Sequence, residues 1–200
     1  MKRVYAGMLR DTFDKAASER GFRTSTSRYF MSLHPVGSHG EWTGWKFRVS
    51  CSEAHVARAW DIVVDTMMTN SAFVTAAKVV TPFGAKTFSD SEHGQAGKMV
   101  TIYMHDGMPP EAVMNMMRVI DARLNAAKIL TGCPVKGDRA VPGSRYLSYR
   151  NDRSDDGEYI PAKANAGLSP EQRYNPFGYP DPYAGFTIGS VRPPNPDARP

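Results

Sequence analysis

Short alternating or apolar runs in this chain trade places with longer stretches whose apolar residues recur at helical spacing. The first helical stretch covers about 4–20, where Val4, Met8, Leu9 and Phe13 share a face and Gly21 offers a stop. Over 22–44 the pattern dissolves into Ser, Thr, Gly and Pro with scattered aromatics, so a structured loop covering the site is expected. His34 and His39 lie there as surface or packing residues. Trp45-Lys46-Phe47-Arg48-Val49-Ser50 then alternates as a strand. Ser52 is a credible N-cap for a helix to about Thr69, with Glu53 in its first turn. Val56, Trp60, Val63, Val64 and Met67 form its apolar stripe.

A second strand is expected over 73–80, ended by Pro82 and Gly84, with a polar loop over 86–97. Residues 98–104 alternate as a third strand, with Met99, Thr101 and Tyr103 on one face. Pro109-Pro110-Glu111 starts a helix that runs to about Leu130 and stops at Gly132, burying Val113, Met116, Met117, Ile120 and Leu124. Residues 145–150 read as a last strand. The order strand, helix, strand, strand, helix predicts a single α+β domain, a largely antiparallel sheet with helices packed on one face. It divides into an N-terminal helix and loop (1–44), a core (45–157) and an irregular, Pro- and aromatic-rich C-terminal extension (158–200). The aromatics of that extension predict that part of it packs on the domain, with 191–200 loose.

Composition narrows the function. The 200 residues, 41% apolar and 22% charged, suit one soluble domain with a proper core. A net charge of +5 favours a phosphate-bearing partner without reaching the excess of a dedicated nucleic-acid binder. Two distant cysteines, Cys51 and Cys133, make no disulfide framework and point to a reducing compartment. No secretory signal, membrane span, zinc-ligand spacing, Walker loop or Ser/His/Asp pattern is legible. Neither a metal nor a cofactor is expected, and neither a nucleic acid nor a membrane is the expected partner.

What the chain does carry is cations on strands. Lys46 and Arg48, two residues apart, point to one face while Phe47 and Val49 point to the other. That face is either the floor of an anionic site or two solvated charges on an open strand. Lys78 is a charge inside an apolar run, either a working amine or a strand-end lysine reaching for water. Tyr103 and the late arginines Arg145, Arg150 and Arg153 complete the set. Arginines take phosphate oxygens in pairs, and a lysine crowded by cations loses its proton more readily. A phosphate pocket with a basic lysine is the equipment for β-elimination, in which the amine takes the α-proton and phosphate leaves the β-carbon.

Gly44-Trp45-Lys46-Phe47-Arg48-Val49-Ser50, Ala77-Lys78-Val79-Val80, Gly97-Lys98-Met99-Val100-Thr101-Ile102-Tyr103 and Arg145-Tyr146-Leu147-Ser148-Tyr149-Arg150-Asn151-Asp152 resemble the phosphothreonine lyase family. Its members include type III effectors of the OspF and SpvC type, which inactivate host MAP kinases. Related lyase domains occur in lanthipeptide synthetases. The resemblance runs from about Trp45 to Asp152 and implies a cofactor-free carbon–oxygen lyase acting on a phosphorylated protein or peptide.

By that resemblance Lys78 is the general base and Lys46 its partner beside the carbonyl of the reacting α-carbon. Tyr103 is the site tyrosine, Arg150 binds phosphate, and Arg153 stands for a second late arginine at a shorter spacing. Two positions depart from the family. Arg48 replaces the histidine that protonates the leaving phosphate, and His93 stands where an arginine precedes the tyrosine by about ten residues. The expectation is an exchange of roles, with Arg48 holding phosphate and His93 supplying the proton.

The effector setting implies export into a host cell without a cleavable signal and a host MAP kinase as substrate. Lys2-Arg3 followed by Met8-Leu9 faintly echoes the effectors' docking segment. Two alternatives stay open: a phosphopeptide-binding relative without turnover, and a stand-alone lyase in peptide natural-product biosynthesis, acting in the bacterial cytoplasm.

Overall fold

A computed structural model describes residues 22–35, 42–70, 74–105, 107–154 and 167–189. Its framework is a seven-stranded sheet in which every neighbouring pair is antiparallel. In chain order the strands are β1 (Phe22–Thr26), β2 (Phe30–Pro35), β3 (Trp42–Val49), β4 (Val74–Val80), β5 (Val100–His105), β6 (Arg139–Ala140) and β7 (Leu147–Asn151). Across the sheet they run β1-β2-β4-β5-β3-β7-β6. The strands carrying Lys78, Tyr103, Lys46 and Arg150 are therefore consecutive neighbours.

Helices α1 (Val56–Thr69) and α3 (Pro110–Ala126) pack on each other and cover one face. Every residue of the two predicted stripes is buried. These stripes meet a sheet row made of Leu33, Ala77, Ile102, Phe47 and Tyr149, each opposite the next across the strands. The fold is the expected α+β domain, with four local differences.

Residues 22–35 form two strands rather than a loop. β1 exposes four of its five residues and is rich in Ser and Thr, so no alternation was there to read. Because β2 pairs with β4, the sheet extends well before residue 44. Pro82 starts a helix instead of only ending a strand: α2 (Pro82–Phe88) occupies the first part of the expected polar loop. Thr81 caps it by accepting the Gly84 N–H, and proline at the first helical position needs no amide partner. Ser52 precedes a 3₁₀ turn, Glu53–His55, and its hydroxyl bonds His55 Nδ1 rather than a backbone amide.

The fourth difference is in the tail, where Pro170–Tyr174 forms α4 with a capping box between Ser169 and Gln172. Asp181 ties this segment down. It accepts hydrogen bonds from the Tyr149 hydroxyl at 2.8 Å and from Arg139 at 3.1 Å. The Tyr183 ring packs edge-on against Phe47 with centroids 4.9 Å apart, so the tail extends the apolar layer. The expected N-terminal helix over 4–20, the docking echo, His39 and the loose 191–200 lie outside the described residues. Among the described residues no helix is long and apolar enough to cross a membrane.

Candidate active site

The other face of the sheet is built by the same register. Lys46 of β3 stands between Tyr103 of β5 and Arg150 of β7. Arg48 stands between Thr101 and Ser148, and Lys78 of β4 between Thr101 and Ser32. A bulge between Trp42 and Lys46 sets the phase of β3. It turns on Gly44, at φ +84°, where a Cβ would collide with the Asn151 side chain.

A cavity of about 270 Å³ opens on this face. Four cations line it, Lys46, Arg48, Lys78 and Lys98, together with Phe30, Gln95, Thr101 and Tyr103. Three are almost fully hidden from water: Lys46 is 3%, Arg48 4% and Lys98 5% exposed. Two buried carboxylates oppose them. Lys46 Nζ donates to both oxygens of Asp152, at 2.6 Å to Oδ1, and Arg150 Nε lies 3.3 Å from the same group. Arg48 Nη1 donates to Asp138 Oδ1 at 3.2 Å, and Ser148 donates to the other oxygen. Cations outnumber carboxylates, and three guanidinium nitrogens, Arg48 Nε and Arg150 Nε and Nη2, are buried without a hydrogen-bond partner among the described residues, although Arg150 Nε is ion-paired with Asp152. An unsatisfied buried donor costs about 1–3 kcal/mol, which a bound anion would recover.

The lysines differ in how they are held. Burial, reinforced by Arg48, lowers Lys78 to about 8 and Lys98 to about 7. Burial and then Arg48 also push Lys46 down, while Asp152 pulls it back toward its charged form. Lys78 Nζ lies over the Phe30 and Tyr103 rings, 4.5 and 5.3 Å from their centroids, with no carboxylate bonded to it. Lys98 also lacks a bonded carboxylate but donates to Gln95 Oε1, so Lys78 is the one of the two held by aromatic rings alone. Burial pushes the Tyr103 hydroxyl up to about 12, so it keeps its proton.

Lys46, Arg48, Lys78 and Tyr103 thus meet in one hollow, as the sequence pattern anticipates. Arg150 is 1% exposed and lies behind Lys46, sharing Asp152 with it rather than lining the cavity. His93 is not brought in, which corrects the expected exchange of roles. Its ring stacks on Phe88 of α2, centroids 5.2 Å apart, and its Nδ1 accepts the Gln95 N–H outside the cavity lining. Arg153 is also elsewhere: half-buried beyond β7, it donates its backbone N–H to Asn151 Oδ1. Arg145 is exposed, over the Tyr146 ring.

Sequence reasoning missed Lys98, Gln95 and the two aspartates. Lys98 reads as the first polar residue of an alternating strand, and nothing marks it apart from Lys46. Asp152 sits inside the Arg150-Asn151-Asp152 stretch, where an acid two residues from a buried arginine is the only available hint.

No curated protein matches the chain. Solved structures do. OspF from Shigella flexneri, described as a type III effector and phosphothreonine lyase, is 18% identical with a TM-score of 0.60 over 74% of this chain and 75% of its own. SpvC from Salmonella, a phosphothreonine lyase and effector protein, is 22% identical with a TM-score of 0.55 over 74% of each chain. A further phosphothreonine lyase is 20% identical, with a TM-score of 0.57 over 74% of this chain and 73% of its own. The pattern that defines the family described as "RamC, N-terminal domain" matches residues 10–184. The chain therefore belongs to the RamC N-terminal domain family, and its fold is that of the phosphothreonine lyases.

Proposed function

We propose that this protein removes phosphate from phosphothreonine or phosphoserine, in a protein or peptide, by β-elimination. One observation carries the reading: Lys78, an amine with lowered proton affinity and no bonded carboxylate, faces the same cavity as a buried cationic floor. A phosphate seated against Arg48 would satisfy its unpaired Nε and offset excess positive charge. Lys46, fixed by Asp152 and Arg150, supports the carbonyl beside the α-carbon and the negative charge that develops there. Neutral Lys78 takes the α-proton, the freed electron pair closes the Cα–Cβ double bond, and the Cβ–O bond breaks. The products are a dehydro residue and phosphate. Tyr103 walls the cavity between the two lysines.

Mass spectrometry of a phosphothreonine peptide incubated with the protein tests this. The expected product has lost phosphoric acid and carries a double bond, and Lys78→Ala abolishes it. A product that has exchanged phosphate for hydroxyl would mean hydrolysis and overturn the reading. Binding without a mass change would support the phosphopeptide-binding alternative, which the buried unpaired Nε of Arg48 also favours.

The finer form of the proposal is an exported effector acting on a host MAP kinase. It draws support from neighbours that are type III effectors, through likeness of fold. It predicts faster elimination from a phosphorylated kinase activation loop than from an unrelated phosphothreonine peptide. Equal rates would assign the activity to a stand-alone peptide lyase instead.

A further inference from the structure

Elimination needs a proton where the bond breaks as well as a base where it begins. A phosphate dianion expelled unprotonated would gain a further negative charge as it leaves. Arg48 occupies the place of the histidine in the resembling family, and a guanidinium does not release its proton near neutrality. His93 stands outside the cavity. The side chains lining it that carry a transferable proton are Lys46, Lys78, Lys98 and Tyr103.

Three of them are poorly suited. Lys78 is the base. Lys46 is bonded to both oxygens of Asp152, and its deprotonation would leave a buried carboxylate facing a neutral amine. Tyr103 stands opposite Lys46 and holds its proton too tightly to give it up readily.

Lys98 is different. It is nearly fully buried, its Nζ donates to the neutral Gln95 Oε1 at 3.0 Å, and no carboxylate is bonded to it. It lines the same cavity as Arg48, the guanidinium against which the phosphate would sit. The turn that presents it is specified. The Lys98 N–H bonds the Gln95 carbonyl, and Gly97 takes φ +74° where a Cβ would strike the Cys133 carbonyl.

We infer that Lys98 is the general acid of this site: its ammonium, steadied by Gln95, protonates the bridging oxygen as the Cβ–O bond breaks. The inference rests on the elimination reading and completes it. Lys78 gains the α-proton and becomes an ammonium. The C–H electron pair forms the double bond, and the C–O pair goes to the departing oxygen. Lys98 gives that oxygen a proton and becomes a neutral amine. Hydrogen phosphate leaves, and solvent returns one proton to Lys98 and takes one from Lys78. Burial lowers Lys98 to about 7 and Lys78 to about 8, so the step requires the bound phosphate, whose negative charge beside Lys98 favours its ammonium form, to reverse that order.

The test uses the full chain and two peptides of one sequence, with phosphoserine or β-chloroalanine at the same position. Chloride leaves without a proton. Lys98→Arg keeps the charge and cannot donate. Relative to the unaltered protein, it should lose at least about 100-fold on the phosphopeptide yet stay within about threefold on the chloropeptide. Lys78→Met should lose both reactions. Lys98→Met repeats the comparison should arginine prevent folding, and retained chloropeptide activity reports an intact fold. Equal losses on both peptides, or an undiminished phosphopeptide rate with Lys98→Arg, overturn the assignment of Lys98 alone. If the unaltered protein eliminates from neither peptide, the elimination reading fails and this inference falls with it.

Discussion

Phe47 and Arg48 are adjacent in sequence and almost equally hidden, at 0% and 4% exposure, yet they bury opposite chemistries. Phe47 lies in the row Leu33, Ala77, Ile102, Phe47, Tyr149, under two helices and the C-terminal aromatics. Arg48 lies in the row Ser32, Lys78, Thr101, Arg48, Ser148, over a cavity. On the first face removal from water is itself stabilising, by about 25 cal/mol for each Å² of apolar surface. On the second it is costly, because charges lose hydration that two carboxylates only partly replace. The cost is visible in lysines that hold their protons weakly. One face supplies the stability, and the other uses it to keep amines dehydrated and weakly basic.

The sharpest way to break this comparison is to remove an amine. Lys78→Met should cut elimination by about 10²–10⁴-fold, the usual worth of a positioned acid or base. It should leave the thermal midpoint unchanged or higher, since a desolvated group without a carboxylate partner has been replaced by an apolar one. Loss of activity in step with loss of folded protein would contradict the division of labour.

Asp152 comes next. Asp152→Ala strips the counter-charge from Lys46 and Arg150 and should destabilise by about 3–5 kcal/mol in a denaturant titration. Phe47→Ala should cost about as much, roughly 3–5 kcal/mol, through a cavity on the other face. The two mechanisms separate in a double variant. Adding Lys46→Met to Asp152→Ala should recover part of the loss, whereas adding it to Phe47→Ala should not.

A smaller effect is the pH dependence of stability. Lys46, Lys78 and Lys98 have folded pKa values below those of the unfolded chain. Between about pH 7 and 10 the unfolded state therefore binds more protons than the native state, and stability rises with pH across that window. Below it both states are protonated and the full penalty for burying charge applies. Tyr103, whose pKa is raised, reverses the trend where unfolded tyrosine begins to ionise, near pH 10. Denaturation midpoints at fixed ionic strength across this range check the sign. A Lys78→Met protein should show a shallower rise.

The smallest effect expected is that of His93→Ala, which should leave turnover unchanged because the imidazole packs on Phe88 outside the cavity. A large loss would return His93 to the reaction.

Much of this was readable in one dimension. Alternation at Trp45-Lys46-Phe47-Arg48 assigns cations and apolar residues to opposite faces, and the stripe of Val56, Trp60 and Val63 marks the helix that covers one of them. Once β4, β5, β3 and β7 are adjacent, Lys78, Tyr103, Lys46 and Arg150 must share the other face. Register does the gathering, and register is not written in local periodicity. That is why Lys98, which reaches the cavity from a turn before β5, and Asp152, which lies just past β7, gave no signal of their own. It is also why His93 looked eligible: ten residues from Tyr103 in sequence, it is diverted by α2 into an aromatic stack. β1 was invisible for a simpler reason, since a strand with four exposed residues carries no buried alternation.

The central claim is that an amine on the cationic face takes the α-hydrogen of a phosphorylated residue. A phosphothreonine peptide deuterated at that α-carbon, incubated with the protein and weighed, tests it most directly. The account predicts a dehydro product without the deuterium, formed more slowly than from the unlabelled peptide, and no product with Lys78→Met. A dephosphorylated peptide that keeps both its deuterium and its hydroxyl would contradict it.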